Sequence, residues 1–268
     1  MQVFITQDGT RFQYTCKGSG IPVILMHGFT EDGRVWEKCI ETLRKNFKVL
    51  TPYLPTDHHG EFSVSFKNNP TIEKLADYIH ELATHIFNNT PIHFIGHSMG
   101  GYIGLAYAET YPNKLKSLGL FHSTAFADSE EKKESRKKTI EFLQKNGTAA
   151  LLKQAIPGLF ADTFKFEHAD TLTEMMNLYS SQTKENLICY LKAMISRKDR
   201  TEILRSIKAL MLIVGKHDKA VPLAQSMELI QLAPAAQVLL LEESGHMGMF
   251  EEPNKSINFL EQFLTTHS

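Results

Sequence analysis

Three cysteines in a chain of 268 residues are too few and too scattered for a disulfide framework. Cys16, Cys39 and Cys189 form no CxxC pair and no metal-binding spacing, and an odd number leaves one thiol over. The reducing cytoplasm is the expected compartment. Long apolar runs are missing as well. With no stretch of about 18 apolar residues, no membrane-spanning helix is expected. The amino terminus, Met1-Gln2-Val3-Phe4-Ile5, turns polar at once and lacks a basic segment leading into an apolar core. No secretion signal is read there, and sequons such as Asn88-Asn89-Thr90 then read as chance matches. Charge of one sign is also lacking, for the formal net charge is −1. Neither nucleic acid nor an anionic membrane is expected as a partner.

What is present suits a globular enzyme. Hydrophobic residues make up 42% and charged residues 22%, ordinary values for a chain that buries a sizeable core. The densest charged run, Glu130 to Lys138, mixes both signs and reads as a solvated helix face.

Strand-like and helix-like segments alternate, which predicts a mostly parallel α/β sheet. Val3 to Ile5 and Phe12 to Thr15 flank Asp8-Gly9, a hairpin signal. Strands are expected at Pro22 to Met26, Lys48 to Thr51, Ile92 to Ile95, Leu115 to Phe121, Leu210 to Val214 and Gln237 to Leu241. Helices are expected at Arg34 to Arg44, from Thr71 with Ile72, Leu75, Ile79, Leu82 and Ile86 at helical spacing, from Ser98 to before Pro112, at Leu223 to Leu232 and at Asn254 to Leu264. From Ser123 to Arg205 the strand signal disappears. That helical block interrupts the alternation and reads as an inserted cap.

The most informative stretch is Ile92-His93-Phe94-Ile95-Gly96-His97-Ser98-Met99-Gly100-Gly101. It fits G-x-S-x-G between a strand and a helix. There a sharp, strained turn lifts the serine hydroxyl clear of the sheet. Gly96 and Gly100 pack where a Cβ would clash, and the following helix aims its amino terminus at developing negative charge.

A serine hydroxyl is a weak nucleophile and needs a base, which in turn needs an orienting carboxylate. After Leu210 to Val214 comes Gly215-Lys216-His217-Asp218, which makes Asp218 the candidate acid. The rivals Glu242 and Glu243 stand too close to the base in sequence to reach its far nitrogen easily. After Gln237 to Leu241 comes Ser244-Gly245-His246, which makes His246 the candidate base. His97, His122 and His217 read as supporting residues. The oxyanion donors are expected to be the backbone N–H groups of Met99 and of Phe29, in His27-Gly28-Phe29.

Together His27-Gly28-Phe29, Gly96 to Gly101, Gly215 to Asp218 with Val221-Pro222, and Gly245-His246 with Glu251 and Pro253 resemble the α/β-hydrolase superfamily over nearly the whole chain. Ala127-Asp128 with Glu131, Arg136 and Asn146-Gly147 resembles the capped esterase and enol-lactonase branch. The resemblance implies an α/β-hydrolase fold with an eight-stranded, mostly parallel sheet and a helical cap inserted after the sixth strand. The core is then residues 1–122 and 206–268, and the cap residues 123–205. One departure stands out. Many relatives carry Asp-x-x-Gly-x-Gly-x-Ser after the fourth strand, where this chain reads Thr51-Pro52-Tyr53-Leu54-Pro55-Thr56-Asp57-His58-His59-Gly60.

The expected activity is hydrolysis of an ester or lactone of a small, largely apolar molecule, without cofactor or metal. Asp57-His58-His59 reads as a polar loop, since adjacent histidines point different ways. Substrate contacts are expected from His27, Gly28, Phe126, Phe160 and Met247, with bulky apolar residues of the cap roofing the pocket. Hydrolytic C–C cleavage, acyl transfer or perhydrolysis would use the same triad, and a ligand-binding member of the fold would leave it idle. Ser98 argues against dehalogenation, since relatives with that activity place aspartate at the elbow. The assembly state is open, with a homodimer as one option.

Overall fold

The computed structural model describes residues 1–56 and 60–268. Eight strands form one sheet: β1 (Gln2–Ile5), β2 (Arg11–Lys17), β3 (Ile21–Met26), β4 (Phe47–Tyr53), β5 (Ile92–His97), β6 (Leu115–Phe121), β7 (Leu210–Gly215) and β8 (Gln237–Leu241). Their order across the sheet is β1-β2-β4-β3-β5-β6-β7-β8. The β1–β2 and β2–β4 pairs are antiparallel, and the remaining pairs from β4 through β8 are parallel.

The central strands follow from their composition. Val23, Ile24, Leu25 and Met26 of β3 are fully buried, as are Phe94 and Ile95 of β5. Continuous apolar runs of this kind suit strands covered on both faces. At the edge, β8 buries only Leu241 and leaves Val238 and Leu240 exposed.

The helices are α1 (Glu37–Leu43), α2 (Val64–Asn68), α3 (Ile72–Phe87), α4 (Met99–Thr110), α5 (Glu130–Ala155), α6 (Asp162–Glu167), α7 (Ala169–Leu178), α8 (Lys184–Ser196), α9 (Leu223–Leu232), α10 (Gly248–Glu251) and α11 (Pro253–Thr266). In α3, Ile72, Leu75, Ile79 and Leu82 form the buried stripe. Thr71 Oγ1 caps that helix by accepting from Lys74 N–H at 3.2 Å, without a capping-box glutamate. The helix expected from Arg34 begins instead as a 3₁₀ turn, Gly33–Trp36, that passes into α1.

Between β6 and β7 the chain forms α5 to α8 and no strand. This insertion shares the hydrophobic core. Leu143, Leu151, Leu187 and Tyr190 cluster with the residues on one side of the sheet, and Leu152, Ile156 and Phe160 with those on the other. Polar ties add to the packing, such as Tyr190 OH donating to Pro55 O at 2.7 Å.

Candidate active site

Parallel strands deliver their following loops to one edge of the sheet, and the singled-out residues gather there. Ser98 stands between β5 and α4 with φ 51° and ψ −114°. This conformation is strained for a residue with a Cβ and costs about 1–3 kcal/mol. Neighbouring bonds hold it: Ser98 N–H donates to Phe121 O at 2.9 Å, and Ser98 O accepts from Gly101 N–H at 2.9 Å and from Ser123 Oγ at 2.7 Å. Gly96 is required by space, since a Cβ there would lie 2.2 Å from the Gly100 backbone. Met99 N–H opens α4, and Phe29 N–H lies in the turn after β3. Among the described residues neither donates a hydrogen bond, so both are free for an anion.

A buried carboxylate organises the Phe29 turn. Glu31 Oε2 accepts from Gly28 N–H at 2.8 Å and from His97 Nδ1 at 2.9 Å. His97 Nε2 in turn donates to His246 O at 2.9 Å. Both His97 nitrogens thus face acceptors, which calls for the doubly protonated ring. Burial opposes both charges, yet the pair holds Glu31 below and His97 above its ordinary value.

His246 follows β8, and its Nδ1 lies 2.7 Å from Asp218 Oδ2. Asp218 Oδ1 accepts from Ala220 N–H at 2.8 Å and Val221 N–H at 2.9 Å. Burial would raise the Asp218 pKa, but His246 and His122 hold it well below the carboxylate range. His122 Nδ1 stands 3.5 Å from Asp218 Oδ2. Ligand-type atoms of His122, Asp218 and His246 lie within 4.8 Å of one another. A tetrahedral ion with bonds of about 2.0 Å would keep its donors roughly 3.3 Å apart. The 2.7 Å contact is therefore a hydrogen bond. Asp57-His58-His59 falls outside the described residues.

Ser98 and His246 line one cavity of about 120 Å³ with Phe29, Tyr102, Leu159 and Met194. Among the described residues Ser98 Oγ makes no hydrogen bond to His246, a common state before ligand arrives. A wider cavity of about 590 Å³ adjoins it, and Phe29, Lys132, Arg136, Ala155, Leu159 and Ala220 border both. A hydroxyl and a carboxylate-paired imidazole at one cavity, with the free N–H of Phe29 on its lining and that of Met99 next to Ser98 in the chain, suit acyl transfer.

A model of the alpha/beta hydrolase fold family matches residues 21–253. The chain belongs to that family. A protein of Acinetobacter baylyi, named provisionally as a carbamate hydrolase, is 28% identical over 91% of this chain and 93% of its own length. An esterase from Thermogutta terrifontis superposes with a TM-score of 0.90 at 25% identity, covering 100% of this chain and 99% of that one. An enol-lactonase from Burkholderia xenovorans gives 0.86 at 23% identity, covering 98% and 100%.

Within this alpha/beta hydrolase several expected substrate contacts are placed elsewhere. Phe160 is buried, stacked on Phe164 with ring centroids 5.1 Å apart. Met247 is fully buried in the same cluster. Phe126 is half-buried, borders neither cavity, and offers its carbonyl to Arg197. His27 is fully buried, accepts from Leu54 N–H through Nε2 and donates from Nδ1 to Gly28 O. It shapes the turn and borders neither cavity. Gly28 contributes through its backbone bond to Glu31.

Sequence reading passed over Lys132 and gave Arg136 no place at the cavity, because a mixed-sign run carries no mark of the face that meets the cavity. Asp128, nearly fully buried, accepts from Arg136 Nε and Arg197 Nη1, each at 2.6 Å. Lys219 pairs with Asp162 at 3.2 Å. Among the described residues Lys132 and Lys138 have no carboxylate within 4.0 Å. The wider cavity is bordered by Lys132, Arg136, Lys138 and Lys219 and by no acidic residue among those described.

No helix is long and apolar enough to cross a membrane among the described residues.

Proposed function

We propose that this hydrolase cleaves a carboxylic ester or lactone through an acyl-enzyme on Ser98. The observation that carries the reading is the strained Ser98 turn sharing one small cavity with His246, itself bonded to Asp218 at 2.7 Å. In the first half-reaction Ser98 Oγ attacks the carbonyl carbon and its proton passes to His246 Nε2. The oxyanion is held by the N–H groups of Phe29 and Met99, each donor contributing about 3 kcal/mol. Collapse expels the alkoxide, which takes the proton from His246. Water then attacks the acyl carbon, gives a proton to His246, and the acid leaves as Ser98 regains it. Asp218 stays ionised and stabilises the imidazolium.

On this reading residues 123–205 form a cap over a core of residues 1–122 and 206–268. The three free cysteines suit a reducing cytoplasm. A 120 Å³ cavity has room for about four water volumes of ~30 Å³, which favours a small acyl group. The wider cavity takes the rest of the substrate, and its basic border favours an anionic group there. Desolvation at the cavity mouth and the adjoining Arg136 push the Lys132 ammonium below its ordinary value, and an anion would relieve this.

A fluorophosphonate probe tests the chemistry. One adduct per chain at Ser98, lost in Ser98→Ala, is expected; an unlabelled wild-type protein would end the reading. With p-nitrophenyl acetate, Ser98→Ala and His246→Ala should each cost about 10⁴-fold or more in kcat, and Asp218→Asn somewhat less, with the circular dichroism spectrum unchanged.

A further inference from the structure

The mechanism above makes no use of His122, although its ring is fully buried beside the acid. The residue follows β6 in a left-handed conformation, φ 48°, with its N–H bound to Ile213 O at 2.8 Å. Gly248 N–H approaches its Nε2 at 3.1 Å. A Cβ on Gly248 would lie 2.6 Å from that nitrogen, so glycine is what permits the approach. An N–H only donates, so Nε2 carries the lone pair. The neutral ring then has its single proton on Nδ1. That nitrogen is buried without a normal hydrogen-bond partner, and the acceptor ahead of it is Asp218 Oδ2 at 3.5 Å.

We propose that His122 is a positioning residue that acts through Asp218, as a neutral Nδ1–H donor sharing Oδ2 with His246. The inference rests on the serine-hydrolase reading for its kinetic consequence, but its tautomer stands without it. Each Asp218 oxygen then faces two donors: Ala220 and Val221 on Oδ1, His246 and His122 on Oδ2. The fourth donor fixes the carboxylate plane and draws off part of its negative charge. Without that donor more negative charge would face the His246 ring through its Nδ1 contact. Burial keeps His122 neutral, pushing it down to about 4. It therefore adds a dipole and not a second cation beside His246.

Other ionisable groups face this trio. His97 with Glu31 lies on the β5 side, Glu251 under the His246 loop, and Lys132 on α5. All are retained in the two test variants. His122→Leu removes both ring nitrogens. His122→Asn also gives up the Nε2 position that accepts from Gly248, but its amide nitrogen can replace Nδ1–H. The difference between them isolates the bond to Asp218.

The measurement is the pH profile of kcat/KM with p-nitrophenyl acetate. In His122→Leu the acidic limb should move to higher pH by about half a unit to one unit, and kcat near neutrality should fall several-fold with KM little changed. His122→Asn should restore the wild-type limb. A limb unmoved in His122→Leu, or moved equally in both, would overturn the proposal. Proton–nitrogen correlation spectra of the wild-type histidine rings supply a second readout that needs neither turnover nor a variant. A neutral His122 with its proton on Nδ1 from about pH 5.5 to pH 8 is expected. A proton on Nε2, or a doubly protonated ring, refutes the inference and leaves the fluorophosphonate result untouched. Conversely, an unlabelled Ser98 with the Nδ1–H tautomer present removes the hydrolase reading and the catalytic role of His122 together.

Discussion

His97 is a histidine asked to keep a charge where burial opposes one. Its two nitrogens reach Glu31 and the carbonyl of His246, so it ties the Phe29 turn to the loop of the base. The folded pKa lies above the ordinary value of about 6.5. A group raised in the folded state stabilises fully below its unfolded value, and that contribution is lost as pH rises through the folded value. The stability of the wild-type protein should therefore exceed that of His97→Gln most at about pH 6. The gap should narrow as pH rises through the raised folded value, read from urea midpoints at constant m-value. A gap that stayed flat would mean that the ring is neutral in the native state. At this scale the motifs were informative only for residues at strand ends. Ser98, Asp218 and His246 sit where strand-to-loop transitions placed them, and the structure gathers them at one edge. Glu31 carried no comparable mark and His122 read only as a supporting residue, because their partners are set by distance in space and not by spacing along the chain.

Helix α5 is broken at Gly147, where φ is 80°, and it is held at its start by charge as well as by packing. Ser129 Oγ caps it by accepting from Lys132 N–H at 3.2 Å. Just before that cap, the buried Asp128 carboxylate joins Arg136 on α5 to Arg197 just after α8. Removing one member of a buried ion cluster leaves the others uncompensated, typically at about 3–5 kcal/mol. Asp128→Asn should accordingly lower stability by about 3 kcal/mol and Tm by about 10 °C, measured by calorimetry. A loss below about 1 kcal/mol would show that solvent already compensates the guanidiniums. Elements with a strong period or a continuous apolar run, such as α3, β3 and β5, were readable as sequence. The short α2 and α10 were not, since five and four residues hold too little pattern to separate a helix from a turn. Phe126, Phe160 and Met247, expected at the substrate, border neither cavity for a related reason. Bulk and apolarity mark a residue as buried, but whether it faces a neighbour or a cavity is decided when elements pack.

The whole molecule brings the sheet edge that carries Ser98 up against a basic border. Net charge is near zero, so this border is a local feature that bulk composition cannot reveal. Lys132 and Arg136 stand at the cavity mouth, and Arg136 shares the Asp128 carboxylate with Arg197. A substrate anion reaching Lys132 would gain what an exposed or half-exposed pair yields, up to about 1 kcal/mol, or about fivefold in rate constant. Monomethyl esters of straight-chain dicarboxylic acids should therefore outrun the methyl alkanoates of equal carbon number at one or more chain lengths by about that factor, expressed mainly in KM. The advantage should fall toward unity at about 1 M salt, where the screening length is about 3 Å. Lys132→Gln should abolish it while leaving the alkanoates unchanged. If the alkanoates were hydrolysed as fast or faster at every length, the border would be only a solvated surface. Selectivity would then lie with the apolar walls at Tyr102, Leu159 and Met194, where acyl shape rather than charge is sensed.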